Sequence, residues 1–221
     1  MELNVKEMLI GHPVRLRYVF RFSTSRVQHP ESVAEHSYYV CLYSLLIADW
    51  YNDAVNSWES QHDSEESLDM VCVATLLRRA VIHDLEESRS GDFPRPFKHS
   101  DSDLKGILEQ ASHHAIEQVA EALLGKLSVS NRFPKQLVKV WDNAKDDSLE
   151  GRILEFADFL SVLSFMYEEL GAGGNRSISN HVRDMDAYFG KFRGPDFEFI
   201  RPLVVQAGSM MLEIFPRKEQ P

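Results

Sequence analysis

Apolar residues recur along the chain with helical spacing, and runs of alternating β-branched residues are absent. The stretch Val33 to Trp50 puts Val33, Tyr39/Val40, Tyr43, Leu46/Ile47 and Trp50 near one face, which predicts a helix over 33–50. Ser32 precedes it as an N-cap, and Glu35 stands three residues later, completing an S-x-x-E capping box. A second helix is predicted over 68–85, apolar enough to be central, with the polar, acidic stretch 52–67 as a loop before it. Gly91, Pro94 and Pro96 make 88–102 a structured loop. Further helices are predicted over 104–127, 135–143, 148–170, 177–192 and 202–215, with a turn at 131–134 and Gly171, Gly173 and Gly174 closing the helix over 148–170. No repeat is present. The expectation is an all-α protein, a compact helical bundle formed by residues 1–221 as a single domain.

Composition narrows the functional classes. With 221 residues and 43% apolar content, a sizeable core can form. A formal net charge of −10 argues against a nucleic acid polymer or an anionic membrane surface as partner. It leaves room for a small phosphate compound, because a metal ion and a few Arg or Lys can set the local sign. Cys41 and Cys72 each sit in apolar, helix-like sequence and read as core thiols, which points to a reducing, cytoplasmic setting. Residues 1–11 lack a signal-peptide pattern, and no apolar run has the length to span a bilayer.

Four features carry potential chemistry: His36 within a helix, His83-Asp84 at the end of an apolar helix, Asp158 inside the apolar string Phe156-Ala157-Asp158-Phe159-Leu160, and the acidic pair Glu86-Glu87. A carboxylate on an apolar helix face is costly unless paired or metal-bound. Two imidazoles and two carboxylates form a mixed N/O set suited to a first-row divalent metal. The bland alternative is equally open from spacing alone: His36 as a satisfied core residue, and Asp158 paired with Arg152 or Arg78. His113-His114 reads as a surface face, and His12, His29, His62, His99 and His181 read as solvated.

The order His36, His83-Asp84, Asp158 resembles the H…HD…D pattern of the HD-domain phosphohydrolases. The similarity extends to Ser32-Val33-Ala34-Glu35-His36-Ser37, to His83-Asp84-Leu85-Glu86-Glu87 followed by Gly91-Asp92-Phe93-Pro94-Arg95-Pro96-Phe97-Lys98, and to Glu168-Glu169-Leu170-Gly171-Ala172-Gly173-Gly174-Asn175, all of which look like segments of the YfbR-type 5′-deoxynucleotidases. The resemblance implies one divalent transition metal (Mn, Co, Zn, Fe or Mg, undistinguished) on His36, His83, Asp84 and Asp158, with Glu87 orienting or deprotonating the attacking water. Glu87 follows His83 by four residues, so on a continuous helix both would share a face. Arg21 is implied to grip phosphate and Asp92 to hold the sugar hydroxyl or protonate the leaving oxygen, with Lys98 as a second phosphate cation. Phe22 stands where such nucleotidases carry Trp against deoxyribose, and Arg95 stands where their loop has a small polar residue. The implied activity is removal of the 5′-phosphate from deoxynucleoside monophosphates. A dNTP triphosphohydrolase of the viral HD kind, with Arg95 reaching further phosphates, is the alternative, and a non-catalytic nucleotide-binding protein the third reading. A small-molecule deoxynucleotide partner and a homo-oligomer follow by the same analogy.

Overall fold

The computed structural model describes residues 3–61, 68–98, 101–125, 132–171 and 178–214. Two short helices, α1 (Val5–Ile10) and α2 (His12–Arg15), lead into a loop and then the long α3 (Val33–Gln61). The Ser32–Glu35 capping box opens α3 as expected: the Glu35 carboxylate accepts from the Ser32 backbone N–H at 2.8 Å, and Ser32 Oγ accepts from the Glu35 N–H at 3.2 Å. α3 runs past the predicted end at Trp50. Val55 is buried, and Asn52 exchanges hydrogen bonds with the Val71 backbone at 2.9 and 3.0 Å, which ties the polar extension down. Residues 62–67 of the predicted loop lie outside the described residues, as do His62, His99, Gly173 and Gly174.

The second predicted helix is shorter than expected. α4 spans Val73–Ile82, and residues 83–86 form a turn before α5 (Glu87–Ser90). Cys72 is exposed at the N-cap of α4, not a core thiol; the linker before the helix leaves it outside the packed face. Cys41 is half-buried against the core as expected. The Pro-rich loop holds another single turn, α6 (Arg95–Lys98). Then come α7 (Ser102–Leu124), α8 (Arg132–Asp142), α9 (Leu149–Gly171), α10 (Ser179–Phe192) and α11 (Arg201–Ile214).

The apolar face of α9 explains the architecture. Ile153, Leu154, Phe156, Ala157 and Phe159 are fully buried, and α9 packs against α3, α4 and α11. Phe156, Phe159 and Phe192 form an aromatic knot with ring centroids 5.1–6.2 Å apart. A second cluster, with Ile116, Val119 and Ala120 of α7 at its centre, packs Leu85 and Val138 over the start of α3. Two clusters meeting along α3 leave a cleft between them, and the polar residues of α3, α9 and the 83–87 turn converge there. No strand forms among the described residues. One isolated antiparallel bridge, Phe20 to Ser32, closes the loop before α3. No helix among the described residues is long and apolar enough to cross a membrane.

Candidate active site

His36 sits one turn into α3, fully buried. Its Nε2 lies 3.1 Å from Asp158 Oδ1 and 3.5 Å from Asp84 Oδ2. His83 Nε2 lies 3.0 Å from Asp84 Oδ2, and the two imidazole rings are 5.5 Å apart. α4 stops at Ile82, and in the turn that follows the adjacent residues His83 and Asp84 both face His36 of α3. Ligand atoms of His36, His83 and Asp84 all lie within 4.8 Å of one another, and Asp158 approaches from the His36 side. The sequence had left Arg152 or Arg78 open as partners for Asp158. Its close cation is instead Lys145, whose Nζ is 2.5 Å from Oδ2.

The outward ring nitrogens are already engaged. His83 Nδ1–H donates to the Ala80 carbonyl at 2.8 Å, which turns Nε2 toward Asp84; burial opposes the charged ring, but the Asp84 carboxylate outweighs it and raises the His83 pKa. His36 Nδ1 lies 2.9 Å from Ser161 Oγ and also touches Arg21 Nη1. Burial, and after it the Arg21 guanidinium, pull His36 down to about 4, so its imidazole is neutral near pH 7. Both Nε2 atoms are buried without a hydrogen-bond partner. Two buried imidazoles whose Nε2 atoms are aimed at two carboxylates fit a divalent metal, which would take the place of any proton on those nitrogens, and His36, His83, Asp84 and Asp158 are the residues that would hold it. Burial opposes charge on Asp84 and Asp158, but the His83 imidazole on the first and the Lys145 ammonium on the second hold both carboxyls well below their usual range.

The remaining predicted residues gather on one side of this centre. Arg21, Phe22, Glu87, Asp92 and Lys98 line, with Asp84 and Asp158, a cavity of about 180 Å³. Burial and the neighbouring Asp84 charge raise Glu87 well above the ordinary carboxyl value, opposed by Lys98 at 3.5 Å. Burial likewise raises Asp92, opposed by Arg21. Arg95 belongs to α6, but its side chain lies outside the described residues. Phe22 adopts φ 55°, a left-handed conformation uncommon for an aromatic residue, and stacks on Phe165 at 4.7 Å. The far wall of the cavity is apolar, with Val162, Met166 and Met185.

Several functional neighbours had no sequence signal. Glu31 accepts from Arg21 at 3.1 Å and orients it. Glu169, fully buried on α9, accepts from the backbone N–H groups of Gln28 and His29 at 2.6–3.0 Å and so anchors the loop that carries Arg21 and Phe22. The linker that carries Lys145 is clamped by a bidentate Arg79–Asp146 pair at 2.8 and 3.0 Å. His12 is not solvated: it is buried, with Nδ1 2.9 Å from Ser88 Oγ, next to Glu87. Nor is His181, half-buried at the cavity with Nε2 2.7 Å from Ser25 Oγ and its ring edge-on to Phe22. In both cases the loops fold back over the histidine, which helical periodicity does not register. His29 and His114 are exposed, as expected, whereas His113 is half-buried, edge-on to Trp141 and 3.6 Å from Asp142.

The chain resembles known proteins in sequence and in fold. A 5′-deoxynucleotidase of Klebsiella pneumoniae is 27% identical over 172 residues, covering 76% of this chain and 75% of the relative. A dATP triphosphohydrolase of Cyanophage S-2L is 28% identical over 108 residues, 49% of this chain and 52% of the phage protein. An HD-domain phosphohydrolase from Listeria innocua has the same fold, with a TM-score of 0.70 at 19% identity over 94% of this chain and 90% of that one. The family described as 5′-deoxynucleotidase YfbR-like matches residues 9–200, most of the chain and every residue of the cleft. The protein is a hydrolase and belongs to the YfbR-like 5′-deoxynucleotidase family.

Proposed function

We propose that the cleft removes the 5′-phosphate of 2′-deoxynucleoside monophosphates with a divalent ion on His36, His83, Asp84 and Asp158. The observation that carries this reading is the pair of buried, unpartnered Nε2 atoms facing Asp84 and Asp158, beside a buried glutamate and an arginine. When bound, the ion supplies Lewis-acid polarisation of a phosphate oxygen and lowers the pKa of water. Arg21, held by Glu31, presents its planar fork to the phosphate. Glu87 takes the proton of the water that attacks phosphorus; its raised pKa makes it a stronger base near neutral pH. The P–O5′ bond breaks as the new P–O bond forms, and Asp92 returns a proton to the leaving 5′-oxygen. Asp92 and Phe22 line the same cavity, so the acid stands on the wall that meets the sugar.

A second reading places triphosphates in the same cleft. Beyond Lys98 and Lys145 the cavity adjoins a chamber of about 620 Å³, which offers room for further phosphates, although Lys105 and His113 on its wall already face Glu109 and Asp142. Attack at the same α-phosphorus would then release triphosphate. The proposal includes a cytoplasmic setting, in keeping with two unpaired cysteines, and a homo-oligomer. The test is product analysis with mono-, di- and triphosphates of deoxy- and ribonucleosides, each with Mn²⁺, Co²⁺, Mg²⁺ and Zn²⁺. Deoxynucleoside and inorganic phosphate from dNMPs support the first reading, and triphosphate from dNTPs the second. Turnover undiminished by exhaustive chelation overturns the metal assignment.

A further inference from the structure

Asp84 belongs to two groups of converging ligand atoms. One contains His36 and His83; in the other, oxygens of Asp84, Glu86 and Glu87 all lie within 4.8 Å of one another. Glu86 and Glu87 are only 7% and 5% exposed, so three carboxylates meet where water can reach little of them. The donors that face them are soon accounted for. Trp141 Nε1–H donates to Glu86 Oε2 at 2.6 Å, and Lys98 Nζ stands 3.5 Å from Glu87 Oε1. Glu87 Oε2 is buried with no hydrogen-bond partner. An oxygen in that position costs stability unless something cationic or protic meets it.

We propose that Asp84, Glu86 and Glu87 form a second divalent-cation site, with Asp84 shared between it and the imidazole-rich site. This rests on the metal reading of His36, His83, Asp84 and Asp158. An all-oxygen set of hard ligands suits Mg²⁺ or Mn²⁺ and disfavours the softer metals that imidazole attracts, so the two sites differ in preference. Access is from the large chamber, which Asp84 and Glu86 both line. A carboxylate has two oxygens, so Glu87 can serve this ion with one and the attacking water with the other. Two-metal hydrolases hold their ions roughly 3.5–4 Å apart and so clamp both the attacking and leaving oxygens.

The experiment is a Mn²⁺ titration of the chelator-stripped full-length protein, followed by equilibrium dialysis and electron paramagnetic resonance. The expected result is two Mn²⁺ per chain, one tight and one weaker, with the hyperfine-resolved signal of the first giving way to a broad spin-coupled signal as the second enters. Glu86→Gln keeps a carbonyl for Trp141 and is expected to bind one Mn²⁺ per chain with no coupled signal. Should that variant fail to fold, Glu87→Gln is read in the same way. A tight first equivalent without a second at saturation overturns this proposal and leaves the imidazole site standing. A coupled pair that persists in both variants overturns the assignment of these glutamates. Absence of any tight Mn²⁺, Co²⁺ or Zn²⁺ overturns the first site and this one with it.

Discussion

Replacing Lys145 with Met separates its two possible roles, packing and charge compensation. The ammonium lies 2.5 Å from Asp158 Oδ2. At an effective dielectric of ~20 that separation corresponds to about 6–7 kcal/mol of Coulomb attraction before any desolvation cost. Asp158 is 14% exposed but Lys145 is 34% exposed, so solvent screening reduces the figure. Losing one partner of a fully buried pair costs about 3–5 kcal/mol, and an exposed pair contributes about 0.2–1 kcal/mol. The half-open geometry here sets the expected loss at roughly 1–3 kcal/mol in the metal-free protein, a fall of roughly 2–12 °C in Tm for a chain of this size. With a divalent ion bound, Asp158 has another compensating charge, so the loss is smaller. Linkage then requires the variant to bind the ion more tightly by the difference between the two losses, at most roughly 5- to 150-fold. Urea unfolding of wild type and Lys145→Met, in chelator and in saturating Mn²⁺, measures the first difference, and calorimetric Mn²⁺ titration measures the second. An equal loss in both conditions with unchanged Mn²⁺ affinity refutes the compensation argument and reduces Lys145 to packing.

Glu87→Gln is expected to retain tight metal binding while kcat falls roughly 10²- to 10⁴-fold, the usual worth of a positioned base; steady-state kinetics with parallel metal analysis checks it, and near-normal turnover removes the role. Phe22→Ala is expected to lower the dAMP-to-AMP ratio of kcat/KM toward one, because a 2′-hydroxyl pressed on the ring costs roughly 1–3 kcal/mol, or about 5- to 150-fold; a wild-type preference that survives the change moves the wall elsewhere. Burial raises Glu31 from 4.5 to about 7, against the pull of Arg21. Its contribution to stability is therefore complete below about pH 4.5 and lost as pH rises through 7. Glu31→Gln is expected to remove that downward slope from the difference between the two proteins' urea stabilities, and identical pH profiles would contradict the assignment.

What was legible in the sequence and what was not divides along a physical line. The capping box of α3, the apolar α9 and the misfit of Asp158 within it are local facts: each follows from residues a few positions apart, so periodicity and burial cost expose them. His83 and Asp84 were visible as residues, but their convergence with His36 and Asp158 depends on how α3, α4 and α9 pack, and α4 ends at Ile82, where the pattern suggested three more helical residues. Lys145, Glu31, His12 and Ser88 act across long sequence separations from polar loops, and no local pattern distinguishes them from solvated residues. Glu169 shows the same limit from the other side: a helix residue flanked by Glu168 looks like surface, yet it is fully buried because two loop N–H groups need an acceptor. The loop it holds carries both Arg21 and the left-handed Phe22. If Arg21 and Phe22 bind substrate as proposed, that binding rests on a turn pinned by one buried carboxylate, and Glu169→Gln, which weakens that acceptor without emptying the space, is expected to raise KM more than it lowers kcat. An unchanged KM would mean that the bridge at Phe20 and Ser32 suffices to hold the loop.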